Sequence, residues 1–109
     1  MYKIEGNKIT LTKGDSFYCE VGMNTETGEA YTPQEGDVIR FGLKLTANDE
    51  EPLIEKIIPN DTKILHLDPD DTKNLKVQTY RYDCEITYEN GDVDTFINDE
   101  ECVLAPEVI

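Results

Sequence analysis

Few side chains in this sequence are of a kind that does chemistry, and their spacing decides what chemistry is open to them. His66 is the only histidine. A general base needs an acid or a nucleophile within hydrogen-bond reach, and its neighbours Leu65 and Leu67 supply neither, so a strand histidine without a catalytic role is expected. Three cysteines, Cys19, Cys84 and Cys102, stand at wide spacings with no CxxC pair, which spells neither a zinc site nor a dithiol redox motif. Tyr82-x-Cys84 has the spacing of the corner tyrosine and second cysteine of immunoglobulin domains, and Cys19 stands where the partner cysteine would. There is no tryptophan to pack on such a bridge. With no export signal and Cys102 left over, three buried, reduced thiols are expected in preference to a Cys19–Cys84 disulfide.

The acidic clusters are the remaining candidates. Asp68, Asp70 and Asp71, then Asp92 and Asp94, then Asn98 to Glu101 offer the hard oxygens that calcium takes, yet none matches the DxDxDG loop with its distal glutamate. Turns and caps account for them, and Asp68 is the natural N-cap of a short helix. Tyr80, Tyr82 and Tyr88 would form a carbohydrate platform if exposed, but their alternation with charged residues assigns them to the core or its margin. No nucleophile beside a base, no phosphate cradle and no ligand set is written in the chain. The expectation is a protein that is not an enzyme, with no catalytic, cofactor-binding or metal residues and no cofactor.

What must position these residues is a succession of period-two segments. Ile9 and Leu11 alternate with threonines; Phe17, Cys19, Val21 and Met23 share one face; Ile39, Phe41, Leu43 and Leu45 share another. Residues 24–37 form the longest connection, with an ordered excursion around Tyr31. Leu53–Ile58 and Lys63–Leu67 read as brief strands. Asp68-Pro69-Asp70-Asp71 is the one helical signal, an N-cap, a proline at the first helical position and acid in the first turn, with Leu75 tucked onto the core. Tyr80, Tyr82, Cys84, Ile86 and Tyr88 then face one way. Asn90-Gly91 predicts a two-residue type I′ turn that sets Tyr88 opposite Val93, Ile86 opposite Thr95 and Cys84 opposite Ile97. Cys102–Leu104 reads as a last strand. The expected fold is all-β: an immunoglobulin-like antiparallel β-sandwich of six or seven strands with one short helical turn near residues 69–75, filling residues 1–109 as a single domain.

Size and charge bound the function. A chain of 109 residues buries roughly two thirds of its unfolded surface and holds a core without staples. Asp and Glu number 24 against 10 Lys and Arg, a formal charge of −14. Such a surface repels phosphate backbones and anionic membranes, so neither nucleic acid nor membrane is an expected partner. The N-terminal residues carry no signal-peptide pattern, and no apolar run nears the roughly twenty residues of a membrane helix.

Four stretches carry a family resemblance: Lys13-Gly14-Asp15-Ser16-Phe17; Tyr31 through Glu35-Gly36-Asp37-Val38-Ile39-Arg40-Phe41; Leu65-His66-Leu67-Asp68-Pro69-Asp70-Asp71-Thr72; and Tyr82-Asp83-Cys84-Glu85-Ile86 through Gly91 to Phe96-Ile97. Their order resembles that in small phage and prophage proteins of Firmicutes similar to the N-terminal domain of the baseplate upper protein. The resemblance implies a noncatalytic virion part that docks onto other phage tail or baseplate proteins, made in the cytoplasm and carried into the virion, with a homo-oligomer open to it. Two other classes share these residues: a secreted or surface immunoglobulin-like adhesion module, and an acidic inhibitor that mimics DNA.

Overall fold

Period-two alternation becomes eight strands and one helical turn in the computed structural model, which describes residues 2–25 and 27–107. Strands β1 (Tyr2–Glu5), β2 (Lys8–Thr12), β3 (Phe17–Glu20), β4 (Val38–Lys44), β5 (Ile54–Ile58) and β6 (Ile64–Leu67) precede helix α1 (Pro69–Thr72). Strands β7 (Thr79–Thr87) and β8 (Val93–Ala105) follow it. Six of them form one sheet in the order β1-β2-β8-β7-β4-β5, and β3 pairs with β6 in a second sheet of two strands. The protein is thus mostly β, with one single-turn helix.

The alternating residues meet in one core. Ile39, Phe41 and Leu43 of β4, Tyr80, Tyr82, Cys84 and Ile86 of β7, and Cys102 and Leu104 of β8 are buried, as are Phe17, Leu65 and Leu67 of the small sheet. Burying each large apolar side chain is worth about 1.5–3 kcal/mol, most of it offset by the conformational entropy lost on ordering the chain. Helix α1 sits where Asp68 and Pro69 place it. The Asp71 carboxylate accepts the Asp68 backbone N–H at 2.7 Å, and Leu75 packs partly buried against the core. Thr72, the buried residue of the helix, accepts the backbone N–H of Gly14 at 2.9 Å and so ties the β2–β3 crossover to the helix that follows β6, the strand paired with β3.

Several expectations need correction. There are eight strands among the described residues, not six or seven: β1 hairpins onto β2, and Cys102–Leu104 continues β8 instead of forming a strand of its own. The pairing is not wholly antiparallel, because β2 runs parallel to β8 from Ile9↔Cys102 to Thr12↔Ala105. The turn after β7 holds three residues, not two. Gly91, at φ 94°, donates to the Tyr88 carbonyl and the Tyr88 N–H to the Asp92 carbonyl, a type I turn with a left-handed glycine. Thr87 therefore faces Val93 and Ile86 faces Asp94. One extra residue in β8 at Phe96 then shifts the register, and Cys84 does face Ile97. A second shift at Asn98-Asp99 follows, fixed by the Asp83 carboxylate, which accepts the Asp99 N–H at 2.6 Å, and by Arg81, 2.8 Å from the Asp99 carboxylate. Leu45 lies beyond the end of β4 and is exposed.

Candidate functional site

The residues with chemical potential do not converge. His66 lies on the outer face of the small sheet, stacked on Tyr18 with ring centroids 4.2 Å apart and planes 7° from parallel. Its Nε2 is 3.2 Å from the Asp68 carboxylate, so its partners are an exposed ring and an exposed acid. The acidic clusters are spent locally. Asp70 pairs with Lys73 at 2.8 Å, Asp71 with Lys56 at 3.0 Å, Glu101 with Lys8 at 3.7 Å, and Asp92 lies against the turn residue Asn90. No group of three or more His, Cys, Asp or Glu side chains among the described residues is arranged to hold a metal ion.

The thiols are held in their protonated form. Cys84 is pushed up to about 12, first by desolvation and then by Cys19 and Asp83, and burial alone pushes Cys102 up to about 11. Cys19, half-buried, is raised by desolvation and by Glu20. All three are free, and thiols so placed are poor nucleophiles. Tyr80 and Tyr82 are buried, as alternation requires, and Tyr88 is half-buried. The hydroxyl that bonds back to the chain just upstream is that of Tyr80, which donates to the Lys76 carbonyl at 2.7 Å, four residues before it, while the Tyr82 hydroxyl donates to the Asn7 carbonyl in the β1–β2 turn. Tyr80 and Tyr82 share one face two residues apart, so alternation alone does not select between them.

What the fold does create is an open flank. Two strands of the small sheet cannot cover six. Strands lie about 4.8 Å apart, so five spacings make the large sheet ~24 Å wide, against ~5 Å between β3 and β6. One flank is closed, because β5 packs beside β6 and Lys56 reaches Asp71 across the gap. On the other flank β3 has no strand beyond it among the described residues; Ile9 and Leu11 of β2 are buried there, and the apolar groups left partly accessible are Ile4 of β1 and Phe96 and Ile97 of β8. A cavity of about 250 Å³ opens there, floored by Ile9, Tyr82, Cys84 and Ile97 and walled by Cys19 and Val21. A second cavity of about 440 Å³, with Met23, Tyr31, Ile86 and Tyr88 in its lining, continues it, and Phe96 borders both. The bulge at Phe96 is what turns two successive residues, Phe96 and Ile97, toward this groove, a placement that strict alternation forbids.

The hydrogen-bonding capacity of the β3 edge follows from its register. Val21 donates its N–H to the Lys63 carbonyl, and Phe17 and Cys19 stand opposite Leu67 and Leu65 in the same phase. Antiparallel pairing alternates, so the backbone N–H and C=O of Tyr18 and Glu20 point away from β6, out over the groove. Sequence reasoning identified Phe17 to Met23 as a half-buried strand but not as a sheet edge, because pairing is a property of the whole topology. The wall beyond it is ordered: the Tyr31 hydroxyl donates to the Asp37 carboxylate at 2.6 Å, which also accepts the Gln34 N–H at 2.8 Å. That pair pushes Tyr31 up to about 12 and lowers Asp37, in each case chiefly through their shared hydrogen bond.

No family model, no curated protein and no solved structure matches this chain.

Proposed function

We propose that this chain is a noncatalytic protein-binding domain, an immunoglobulin-like sandwich serving as a tail or baseplate assembly module of a phage or prophage. The immunoglobulin-like assignment is supported by three features: the parallel pairing of β2 with β8, the layering of β3–β6 on the larger sheet, and the tyrosine near the start of β7 that bonds back to the chain before it. The phage assignment is supported by the order of sequence stretches. Three of those stretches occupy skeletal positions, the Gly14 crossover, the Asp37 loop and the α1 cap, while the fourth, Tyr82 to Ile97, also lines the groove beside β3.

The observation that carries the binding role is the open β3 edge above an apolar floor. An exposed edge is a template for pairing, and proteins blunt or cover the edges they do not use. Strand addition gives affinity through main-chain bonds without any conspicuous side-chain motif, in keeping with a sequence that has none. The test is co-purification of the tagged chain with each tail protein encoded beside its gene. Stable binding to at least one is expected; a monomer that binds none of them would remove the assembly role.

A further inference from the structure

We propose that the groove along β3 accepts one extended segment of a partner protein, alternating apolar residues with Lys or Arg, as a third strand of the small sheet. The inference rests on the binding-module reading above and names the chemistry of what is bound. Its backbone half is the outward-facing N–H and C=O groups of Tyr18 and Glu20, deduced from the Val21–Lys63 bond and the β3–β6 register. Of these, the Glu20 carbonyl accepts a weak contact from the Cys19 thiol at 3.5 Å, which an incoming amide would replace.

Its side-chain half is the groove between β3 and the Phe96–Ile97 bulge of β8. Residues 19–25 flank the two cavities, and seven residues at ~3.3 Å rise span ~20 Å, room for about six residues of extended chain. Three of the six would point down. They would meet Ile97 and Phe96, half-buried apolar groups that border cavities of about 250 and 440 Å³. The other three would point outward, beside Glu20.

Charge selects the occupant. The described residues lining both cavities include the carboxylates of Glu20 and Asp94 and no Lys or Arg, on a chain of net charge −14. A second copy would bring a further −14 and repel, whereas a segment with outward Lys or Arg is drawn in. This disfavours self-pairing and favours a basic partner strand.

The experiment is amide hydrogen exchange on the whole chain with a nine-residue probe peptide of alternating lysine and isoleucine. One control has the same composition with a central proline, and another has glutamate in place of lysine. The lysine–isoleucine probe is expected to slow exchange at Tyr18 and Glu20 at least tenfold, more weakly as salt rises, and neither control to do so. Glu20→Pro deletes an outward N–H while leaving the Val21–Lys63 bond in place, so it should cost at least tenfold in probe affinity with the circular dichroism unchanged. Should that variant fail to fold, the exchange pattern of the native chain decides alone.

Absence of protection at both amides at millimolar probe, or equal affinity in Glu20→Pro, would overturn the inference. So would protection of the same amides in the chain alone as its concentration rises, which would assign the slot to a second copy. A neighbouring tail protein that binds native chain and Glu20→Pro equally would leave the assembly role standing and remove the strand. Insertion of the probe with no tail protein bound would do the reverse.

Discussion

Tyr80→Phe isolates one hydroxyl at the point where the chain passes from α1 into β7. The ring is 2 % exposed and stays buried as phenylalanine, so no cavity of consequence opens. What disappears is the donor to the Lys76 carbonyl at 2.7 Å and the acceptor for Gln78 Nε2 at 3.2 Å. Gln78 is exposed and turns to water at little cost. The Lys76 carbonyl loses a short bond in a partly buried position, worth about 1–2 kcal/mol. For a domain near 100 residues that is a fall in Tm of roughly 4–16 °C. The control is Tyr88→Phe, whose hydroxyl lies 3.4 Å from Asp94 on the exposed side, a contact too long to hold more than about 0.5 kcal/mol. Paired urea titrations with a common slope measure both. Equal midpoints for the two variants would refute the reasoning that Tyr80 anchors this passage of the chain.

Three further outcomes are expected. Thr72→Val keeps the shape but strips the acceptor from the Gly14 N–H, and urea unfolding should show a loss of about 1–2 kcal/mol; Gly14→Ala, forced to hold φ 83°, should cost about 1 kcal/mol or more. The Tyr31–Asp37 bond makes stability depend on pH at both ends: the lowered Asp37 contributes above its unfolded pKa and is lost as pH falls through the folded value, while the raised Tyr31 contributes below about 10 and is lost as pH rises through about 12. Tyr31→Phe should flatten both limbs in denaturation midpoints taken from acid to alkaline pH. In native protein at pH 8 a thiol-specific reagent should label half-buried Cys19 first, and Cys84 and Cys102 only at the rate of unfolding, as followed by intact mass; three labels at one fast rate would contradict their burial.

Much of the fold is legible in single segments, because burial on one face of a strand writes itself as period two. Ile39, Phe41 and Leu43, or Tyr80 through Ile86, name the core side of β4 and β7 without any knowledge of their partners. Asp68-Pro69 likewise announces α1, since a cap acts within four residues. Legibility ends where a feature depends on residues far apart. The parallel pairing of β2 with β8 joins residues more than ninety positions apart, and nothing in Ile9 to Thr12 specifies its direction. Asn90-Gly91 marks a turn, but whether two or three residues span it depends on accommodating the bulges downstream, which is why only Cys84↔Ile97 has the expected register.

The groove was illegible for the same reason. Phe96 and Ile97 are adjacent, and alternation would send one of them to solvent; the bulge that brings both to the groove has no signature in their types. The free edge of β3 is a statement about which strands the other sheet recruited. Cys19 is the free thiol its sequence context leads one to expect, but it is half-buried in the wall of that groove and not in the core.

The central claim is that this domain acts by offering the β3 flank to another protein. Exchange mapping of the native chain bound to any protein encoded beside its gene that co-purifies with it tests it most directly. Slowed amides at Tyr18 and Glu20, with altered protection across Asp94 to Ile97 and little change on β5, are the predicted result. A bound partner that leaves the β3 flank exchanging as it does in the free chain would contradict the account.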